Sequence, residues 1–504
     1  MSSTVKIRLE PLGESFEVPR GGALRDVLFA YGVEFPCGGH GKCRKCRVKV
    51  LEGSLEPAGD EAEILTAEEI ADGWRLACRM AATADMTLEI GQWETAILAD
   101  DTSFSFSPRQ GHGVAVDIGT TTLVAQLLDL ETGHVLGVRS ALNPQTVHGG
   151  DIMSRVEHAL QPEGAATLTR EIRESVGALI GELGLAAGLT EVVLVGNTVM
   201  HHLFCGIDVE PLSRYPFETG EGGLRTFRAS ELAWNLPSNP VVQFLPCLGG
   251  FVGSDILAGI MASGFESTSE ITALLDLGTN GEIVVGNRNR IVCASTAAGP
   301  AFEGGKISSG MRAATGAIAA ATVKGGALSF EVLGGEVSPR GICGSGLVDV
   351  IAGGLDLGLI EPNGRFAGGR KQLLLAGSVR LLQKDIRELQ LAKGAVAAGV
   401  RLLLKQRGAR QQDVRYVYLA GAFGNYVNRE SARRIGILDF PAKRIHPSGN
   451  TALLGAKLAL FRTEPEGRGF NEIRERITHV SLAADPEFQD TFVDSLAFPP
   501  VDGG

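Results

Sequence analysis

The chain has 504 residues, of which 44% are hydrophobic and 21% charged, so its composition is globular and excludes a largely disordered protein. Its formal net charge of -11 disfavours nonspecific binding to nucleic acid or to an anionic membrane, because both depend on clusters of Lys and Arg. The length predicts two or three domains, and the lack of a signal-peptide core and of a long uncharged apolar run predicts a cytoplasmic protein that does not span a membrane.

The first 91 residues predict a small module built around cysteines. Residues 4–18 alternate as a hairpin, a helical pattern follows in ALRDVLFAYG, and strand patterns follow in CRVKVLEG and MTLEI. The cysteines at 205, 247, 293 and 343 are widely spaced and predict small buried apolar side chains. Four others have the spacing of metal ligands, with C-x5-C-x2-C followed by a distant fourth: Cys37, Cys43, Cys46 and Cys78.

Four thiolates in this arrangement can surround a 2Fe-2S cluster, in which each iron takes two of them. A zinc ion is the alternative, but structural zinc sites usually have a short cysteine pair on each arm, and this sequence has one short pair. Gly38, Gly39 and Gly41 also let backbone N–H groups turn toward cluster sulfurs. The segment resembles a β-grasp ferredoxin, although its first gap is five residues rather than the four of the plant-type pattern.

Basic residues are concentrated beside these cysteines in an otherwise acidic chain. Two interpretations stay open: their charges offset the negative charge of the cluster, or they form a docking surface for an acidic redox partner through complementary potentials. The residues are Lys42, Arg44, Lys45, Arg47, Arg75 and Arg79.

A linker is predicted at 92–112, where periodicity is lost and the segment ends in Ser, Pro and Gly. A flexible chain of about 20 residues has an end-to-end distance of roughly 25 Å. The module at 1–91 is therefore predicted to move over a limited range.

From Gly113 the sequence predicts a hairpin with a polar tip: an apolar strand, the turn DIGTTT and a second strand. Such a tip suits a nucleotide phosphate, since glycine allows the backbone to approach it and threonines donate hydrogen bonds. A carboxylate there can hold hydrated Mg²⁺. The residues predicted for these roles are Asp117, Gly119, Thr120, Thr121 and Thr122.

The same device recurs in DLGTNG, between the strand patterns ALLDL and EIVVG. The first aspartates of the two turns are 159 residues apart (276 minus 117), which suggests duplicated lobes that close on one nucleotide. In a third segment, RYVYLAGAFGNYV, a strand runs into a turn at Gly421 and Gly424 whose backbone can pack against adenosine. The second tip consists of Asp276, Gly278, Thr279, Asn280 and Gly281.

Ordinary turns that need Gly, Asp and Asn for backbone reasons are the alternative for each segment. The ordered set of three, with Asp at the same place in both hairpins, favours a nucleotide site. It resembles the ASKHA superfamily, which includes acetate and sugar kinases, chaperone ATPases and actin. The resemblance implies a multidomain α/β and α+β protein: the β-grasp ferredoxin domain, then a two-lobed actin-like ATPase with ribonuclease H-like lobes at 113–270 and 271–504, the second carrying a C-terminal extension.

The whole set of motifs is similar to a narrower family, the ATP-dependent reductive activators of corrinoid proteins. The motifs are the ferredoxin cysteines, DIGTTT, GNTVMHHL, GGFVGSDI, DLGTNGEIV, AAGPAFEGG, GICGSGL and LAGAFGN. The resemblance implies a 2Fe-2S cluster, ATP and Mg²⁺ as cofactors and a corrinoid protein of a methyltransferase system as the partner, whose cobalt is returned from Co(II) to Co(I). It also implies an upstream low-potential electron donor and allows a homodimer. Longer relatives insert a linker and a middle domain between the ferredoxin and the ATPase, where this chain has about 20 residues, so the resemblance does not extend to a dimerisation role of that region.

Roles for individual residues follow from the resemblance. Asp117 and Asp276 would position magnesium, the threonines of both tips and Asn280 would hold phosphates, and Glu282 or Asp255 would orient the attacking water. Plant-type 2Fe-2S centres lie near about -400 mV, and a more negative acceptor makes one-electron transfer uphill by about 1.4 kcal/mol per 59 mV. ATP binding that closes the lobes can favour a partner conformation whose cobalt is easier to reduce.

Three other functions stay open. Activators of acyl-CoA dehydratases and reductases typically share a 4Fe-4S cluster in a dimer, and the four-cysteine pattern counts against that function. A small-molecule kinase with an iron-sulfur sensor would phosphorylate an alcohol or carboxylate without a partner protein. A nonenzymatic redox-sensing scaffold would bind nucleotide without hydrolysing it or transferring electrons.

Overall fold

The computed structural model divides the chain into two compact units, Met1–Glu266 with Asn450–Ile477 and Ser267–Gly449 with Thr478–Gly504. No helix within the described ranges is long and apolar enough to cross a membrane. The residues described are 4–10, 14–28, 31, 33, 46–53, 55–57, 61–90, 108–184, 188–218, 220–236, 238–278, 280–311, 313, 316–333, 337–462 and 468–500.

The N-terminal part folds as a five-stranded mixed sheet in the order β2-β1-β5-β3-β4. Its elements are β1 (Thr4–Glu10), β2 (Glu14–Pro19), α1 (Arg25–Leu28), β3 (Arg47–Glu52), α2 (Ala67–Ala71), β4 (Trp74–Leu76) and β5 (Met86–Ile90). β1 and β5 are parallel, and the other pairs are antiparallel. Alternation places Val5, Ile7 and Leu9 of β1 in the core. This arrangement is the β-grasp fold that the sequence pattern predicted.

A six-stranded sheet follows in the same unit, in the order β10-β11-β9-β6-β7-β8. Its strands are β6 (His112–Ile118), β7 (Thr122–Asp129), β8 (Val135–Leu142), β9 (Leu189–Gly196), β10 (Arg225–Arg228) and β11 (Val241–Phe244). The helices of this part are α3 (Ile152–Ala159), α4 (Gly164–Gly181), α5 (Thr198–Cys205), α6 (Glu210–Ser213) and α7 (Ser254–Ala262). Apolar side chains of the sheet and of its helices form one buried core.

The second unit contains another six-stranded sheet, in the order β21-β20-β12-β13-β14-β22. The strands after β11 are β12 (Ile271–Leu277), β13 (Gly281–Asn287), β14 (Arg290–Thr296), β15 (Ala317–Lys324), β16 (Ala327–Val332), β17 (Gly341–Ile342), β18 (Gln372–Leu374), β19 (Arg380–Leu382), β20 (Val414–Ala420), β21 (Ile445–Pro447) and β22 (Ile477–His479). The helices after α7 are α8 (Gly344–Asp356), α9 (Gln383–Arg407), α10 (Gly421–Tyr426), α11 (Arg429–Arg434), α12 (Thr451–Leu460), α13 (Arg468–Glu475) and α14 (Phe488–Asp494). Of these, α12 and α13 belong to the first unit.

The two large sheets share the order of five strands, and each has a sixth strand at a different end, β10 beyond β11 and β22 beyond β14. In the first, β6, β7 and β8 are antiparallel neighbours, and β6 pairs in parallel with β9, which pairs in parallel with β11. In the second, β12, β13 and β14 are antiparallel neighbours, and β12 pairs in parallel with β20, which pairs in parallel with β21. This is the ribonuclease H-like order. The predicted duplication is therefore confirmed, and β6 and β12 occupy the same central position.

Helices α7 and α12 pack closely within the first unit because a glycine lies where they meet. A Cβ atom on Gly455 of α12 would lie 2.1 Å from the carbonyl oxygen of Ala258 on α7. Most of the apolar side chains of α12 are buried, which is the pattern of a helix surrounded by protein. The contact thus depends on the absence of a side chain at Gly455.

We predict that Gly455→Ala lowers the midpoint of thermal unfolding, because the added methyl group forces the two helices apart. Overpacking of this kind typically costs about 1–3 kcal/mol. Gly181→Ala is the matched control, since Gly181 is exposed at the end of α4 and a Cβ there meets no atom within 4 Å. That control should be neutral or slightly stabilising. Equal unfolding midpoints for the two variants, measured by circular dichroism, would contradict the close contact.

Candidate functional site

Two of the four predicted cluster ligands, Cys46 and Cys78, are described by the structure and lie side by side. Cys46 directly precedes β3, Cys78 follows β4 by two residues, and these two strands pair in antiparallel register. The two Sγ atoms are 3.4 Å apart. The predicted ligands Cys37 and Cys43 lie outside the described residues.

The distance between the two sulfurs fits two ligands of one metal ion. A disulfide would place the sulfurs about 2.05 Å apart, far closer than the observed 3.4 Å. A tetrahedral metal with metal–sulfur bonds of about 2.3 Å separates its thiolates by about 3.8 Å. The pair can therefore serve one iron of a 2Fe-2S cluster, and Cys37 and Cys43 are the residues that would serve the other.

Three of the remaining four cysteines are buried, as the sequence predicted: Cys247, Cys293 and Cys343. Cys205 is partly buried. Burial raises the pKa of the Cys205 thiol to about 12, and burial likewise raises the pKa of Cys247. Such thiols stay protonated at neutral pH, and a protonated thiol is a poor metal ligand.

The described arginines beside the cluster ligands support the local fold. Arg47 lies 3.5 Å from the carboxylate of Glu69, and its guanidinium stands 5.1 Å from the centre of the Trp74 ring. Arg75 donates hydrogen bonds to three backbone carbonyls at 2.7 to 3.0 Å. These contacts occupy Arg75 inside the domain, which disfavours it as part of a docking surface.

The first hairpin is closed by a turn that requires glycine. The N–H of Gly119 donates to the carbonyl oxygen of Thr122 at 3.1 Å, and a Cβ atom on Gly119 would lie 2.6 Å from that oxygen. Asp117 stands just before the turn, opposite Val124 on β7. The fold therefore brings the predicted residues Asp117 to Thr122 together at the end of β6.

Four polar side chains that the sequence analysis did not assign hold this hairpin tip. Two of them lie in motifs that the sequence displays openly, since Asn197 and Asn450 each stand in a Gly-Asn-Thr triplet. The other two, Asn143 and Arg155, lie in no motif that the local sequence indicates. The bonds run from Asn143 Nδ2 to the Gly119 carbonyl (2.9 Å), from Arg155 to the Thr120 carbonyl, from Asn197 Nδ2 to Thr120 Oγ1 (2.9 Å) and from Asn450 Nδ2 to Asp117 Oδ2 (2.8 Å).

Asp117 and Arg155 set the electrostatics of the first tip. Burial raises the pKa of Asp117 to about 6, and the hydrogen bond from Asn450 opposes that rise. Burial lowers the pKa of Arg155 to about 10, opposed by the charge of Asp151, so its guanidinium stays positive at neutral pH. A poorly solvated carboxylate of this kind gains from a bound cation.

The second hairpin carries an additional carboxylate. Asp276, near the end of β12, lies directly opposite Glu282 on β13, and opposite residues of an antiparallel pair project from the same face. Ser295 Oγ donates to Glu282 Oε1 at 3.3 Å. The position opposite Asp117 in the first hairpin is occupied by Val124. The two tips are thus alike in fold and different in charge.

The turn of the second hairpin is shorter than that of the first. The N–H of Gly278 donates to the carbonyl oxygen of Asn280 at 3.1 Å, while Thr279 lies outside the described residues. A Cβ atom on Gly281 would lie 3.2 Å from the side chains of Thr296 and Val396. A Cβ on Gly278 would lie 3.5 Å from Glu303 Oε1. Glu303 belongs to the AAGPAFEGG motif, and the sequence analysis gave it no role.

Gly421 and Gly424 have packing roles inside the second unit. Gly421 opens α10 with φ +75°, and a Cβ atom there would lie 2.5 Å from Asp276 Oδ1. A Cβ on Gly424 would lie 3.0 Å from Leu419. Glycine at 421 therefore makes room for the aspartate of the hairpin, and contact of these residues with adenosine stays a prediction.

Asp255, the other candidate for orienting the water, lies in the first turn of α7. Its Oδ1 accepts a hydrogen bond from the N–H of Ile256 at 2.8 Å. It belongs to the first unit, whereas Glu282 belongs to the second. Of these two candidates, Glu282 lies directly opposite the hairpin aspartate of its own unit, Asp276.

Comparison with protein families gives the class of the chain. Residues 7–83 match the 2Fe-2S iron-sulfur cluster binding domain, residues 112–268 match the RACo middle region, and residues 270–503 match the C-terminal domain of RACo, the ASKHA domain. Together with the β-grasp sheet and the two ribonuclease H-like sheets, these matches define an iron-sulfur protein joined to an ASKHA-type fold.

Individual relatives narrow the class. The chain is 35% identical over 422 residues to the corrinoid activation enzyme RamQ of Eubacterium limosum, covering 77% of this chain and 70% of the relative. It is 30% identical over 422 residues to the [Co(II) methylated amine-specific corrinoid protein] reductase of Methanosarcina barkeri, covering 77% of each. A solved reductive activator for a corrinoid, iron-sulfur protein matches with a TM-score of 0.69 and 27% identity over 99% of both chains. The chain belongs to the family of reductive activators of corrinoid proteins.

The family match at 112–268 covers the segment that the sequence analysis placed in the first ATPase lobe. This match is to the RACo middle region, and it includes the first hairpin. The six-stranded sheet of strands β6 to β11 lies within the matched residues. The division of the chain into a first lobe at 113–270 and a second at 271–504 stays a prediction.

We predict that Cys46→Ser removes the cluster, because each iron of a 2Fe-2S centre needs two thiolates. Chemical iron and sulfide analysis, with electron paramagnetic resonance of the reduced protein, should give two irons per wild-type chain and a large loss in the variant. Cys205→Ala is the control and should keep the full iron content, since the buried Cys205 thiol stays protonated. Four irons per wild-type chain, or zinc alone, would refute the assignment.

We also predict that Asp117→Asn and Asp276→Asn each reduce ATP turnover on the order of 100-fold, because each removes a charge that holds the metal–phosphate complex. The visible spectrum of the cluster should stay unchanged, since the ferredoxin sheet is a separate sheet with its own hydrogen bonds. Asp439→Asn, at an exposed position, is the control for an unrelated charge loss. Full ATPase activity in either hairpin variant would remove that hairpin from the site.

Proposed function

We propose that this chain uses ATP to drive an electron from its 2Fe-2S cluster onto the cobalt of a corrinoid protein, restoring Co(I) from Co(II). The observation that carries the proposal is the fusion, in one member of this family, of a cluster domain with two aspartate-tipped hairpins. Each relative named above activates or reduces a corrinoid protein according to its name. This membership favours the proposal over the acyl-CoA, kinase and scaffold alternatives.

The 2Fe-2S cluster, when bound, would supply one-electron chemistry. For each Co(II) reduced to Co(I), it would give up one electron and take one from an upstream low-potential donor. Cys37, Cys43, Cys46 and Cys78 would hold the cluster. Cys46 directly precedes β3, and Cys78 follows β4, which is the last strand of the sheet.

In this proposal the residues of both hairpins take part in nucleotide binding. Mg²⁺, when bound, would supply positive charge to the phosphates. Asp117 and Asp276 would help to position it, and the phosphate oxygens would accept hydrogen bonds from the tip residues: Thr120, Thr121 and Thr122 of the first tip, and Thr279 and Asn280 of the second. Glu282 is the better candidate for orienting the attacking water, because it stands opposite Asp276, whereas the Asp255 carboxylate accepts from the start of its own helix.

ATP is needed because the transfer is energetically unfavourable. Each 59 mV by which the cobalt couple lies below the cluster costs about 1.4 kcal/mol for one electron. ATP binding can offset this cost only if the nucleotide-bound protein prefers the corrinoid partner in its more easily reduced form.

The proposal also includes a cytoplasmic location for the protein. Its oligomeric state, monomer or homodimer, can be measured by sedimentation or light scattering.

The corresponding prediction is that wild-type protein, mixed anaerobically with a reductant, ATP and a Co(II) corrinoid protein, produces the Co(I) absorption band. Cys46→Ser should abolish the reduction and still hydrolyse ATP, because the hairpins lie in other sheets. Asp276→Asn should abolish it with the cluster present, and Asp439→Asn should behave as wild type. Reduction at the full rate without ATP, or a phosphorylated small molecule without any effect on cobalt, would overturn the proposal.

A further inference from the structure

Three asparagines surround the first hairpin tip, and all three stand at helix N-caps. Asn143 caps the short 3-10 helix Pro144–Val147, Asn197 caps α5 and Asn450 caps α12. They come from distant parts of the chain, yet each also contacts the hairpin. A cap needs only the side-chain oxygen, so the recurrence of asparagine at all three points to a use for its nitrogen.

The caps fix the orientation of each amide. The Oδ1 atom accepts a hydrogen bond from a backbone N–H of the helix it caps, at 3.0 Å for Asn143 and Asn197 and at 2.8 Å for Asn450. An asparagine amide has one acceptor oxygen and an NH₂ group that can only donate. With the oxygen bound to the helix, the NH₂ group must point away from it, and in all three cases it points at the hairpin.

The three donors meet different groups of the tip. The amide of Asn450 donates to Asp117 Oδ2 at 2.8 Å, which restrains the orientation of the carboxylate and leaves Oδ1 outside this hydrogen bond. The amide of Asn197 donates a hydrogen bond to Thr120 Oγ1 at 2.9 Å. Because that hydroxyl oxygen accepts, its hydrogen is free to be donated to a phosphate.

Helix α7 and the residue before it lie close both to Asn197 and to α12, the helix that Asn450 caps. A Cβ atom on Gly253, directly before α7, would lie 2.4 Å from the Cα atom of Asn197. Further along, α7 packs against α12, the helix that Asn450 caps, and a Cβ atom on Gly455 of α12 would lie 2.1 Å from the carbonyl oxygen of Ala258. Asn197 and the helix that Asn450 caps are thus both packed closely against α7 and the residue that precedes it.

We propose that Asn143, Asn197 and Asn450 form an amide clamp that positions the first hairpin for Mg²⁺ and phosphate, with Asn450 acting through Asp117 and Asn197 acting through Thr120. These are positioning residues, since none needs to touch the nucleotide. The proposal rests on the proposed function, because it assumes that this hairpin binds a metal–nucleotide complex.

Serine substitutions distinguish the effect of the hydrogen bonds to the hairpin from the effect of helix capping. Serine is as good an N-cap as asparagine, but it has no amide to reach the hairpin. Asn450→Ser should raise the Mg²⁺ concentration for half-maximal ATPase activity about 10-fold, because a hydrogen bond to a charged group is lost. Asn197→Ser should instead raise the KM for ATP about 5-fold, because the lost bond is between neutral groups. Asn428→Ser is the matched control, since Asn428 caps α11 in the second unit through its oxygen.

Binding of MgADP, measured by calorimetry, gives a readout that does not require turnover. We expect it to weaken in Asn450→Ser and Asn197→Ser, with unfolding midpoints equal to that of Asn428→Ser. Unchanged MgADP affinity and an unchanged Mg²⁺ requirement in both variants would overturn the clamp. An equal loss of MgADP affinity in all three serine variants would also overturn the clamp, as would a loss of affinity that accompanies a lowered unfolding midpoint. Either result would show that the asparagines act only as helix caps. Wild-type protein that binds MgADP and forms no Co(I) would contradict the proposed function and leave the clamp supported.

Discussion

Each hairpin has a carboxylate near the end of the central strand of its sheet. Burial raises the pKa of Asp117, and an ionised carboxylate in such a setting requires hydrogen bonds or a cation. In the first unit, the amide of Asn450 supplies the hydrogen bond to Asp117. In the second, Gly421 leaves the space that the carboxylate of Asp276 occupies, 2.5 Å from where a Cβ would lie. The residues around each hairpin follow from this one requirement.

Local patterns were sufficient to predict the framework. The alternation of apolar side chains in β1 and the spacing of Cys46 and Cys78 with the other two cysteines predicted the ferredoxin module. The strand-turn-strand patterns around Asp117 and Asp276 predicted both hairpins, and their similar placement predicted the duplication. Each of these patterns consists of residues that are close together in the sequence or that recur in a recognisable motif, so the sequence displays them directly.

The surroundings of the hairpins could not be predicted in this way. Asn450 meets Asp117 across 333 residues of chain, and nothing near either residue indicates the contact. The sequence predicts an adenosine contact at Gly421 and does not indicate that a Cβ atom there would lie 2.5 Å from Asp276 Oδ1. Glu303 approaches the second turn from a motif whose function the pattern left undefined. Contacts of this kind depend on tertiary packing, which hydrophobic periodicity does not encode.

The central claim is that ATP releases an electron already held by the cluster. A single-turnover stopped-flow experiment tests it most directly: protein with a reduced cluster, freed of external reductant, is mixed with a Co(II) corrinoid protein and then with ATP. The account predicts that both species are stable until ATP is added, after which the cluster is oxidised and Co(I) appears at the same rate and in equal amounts. Co(I) formed equally fast without ATP, or formed while the cluster stays reduced, would contradict it.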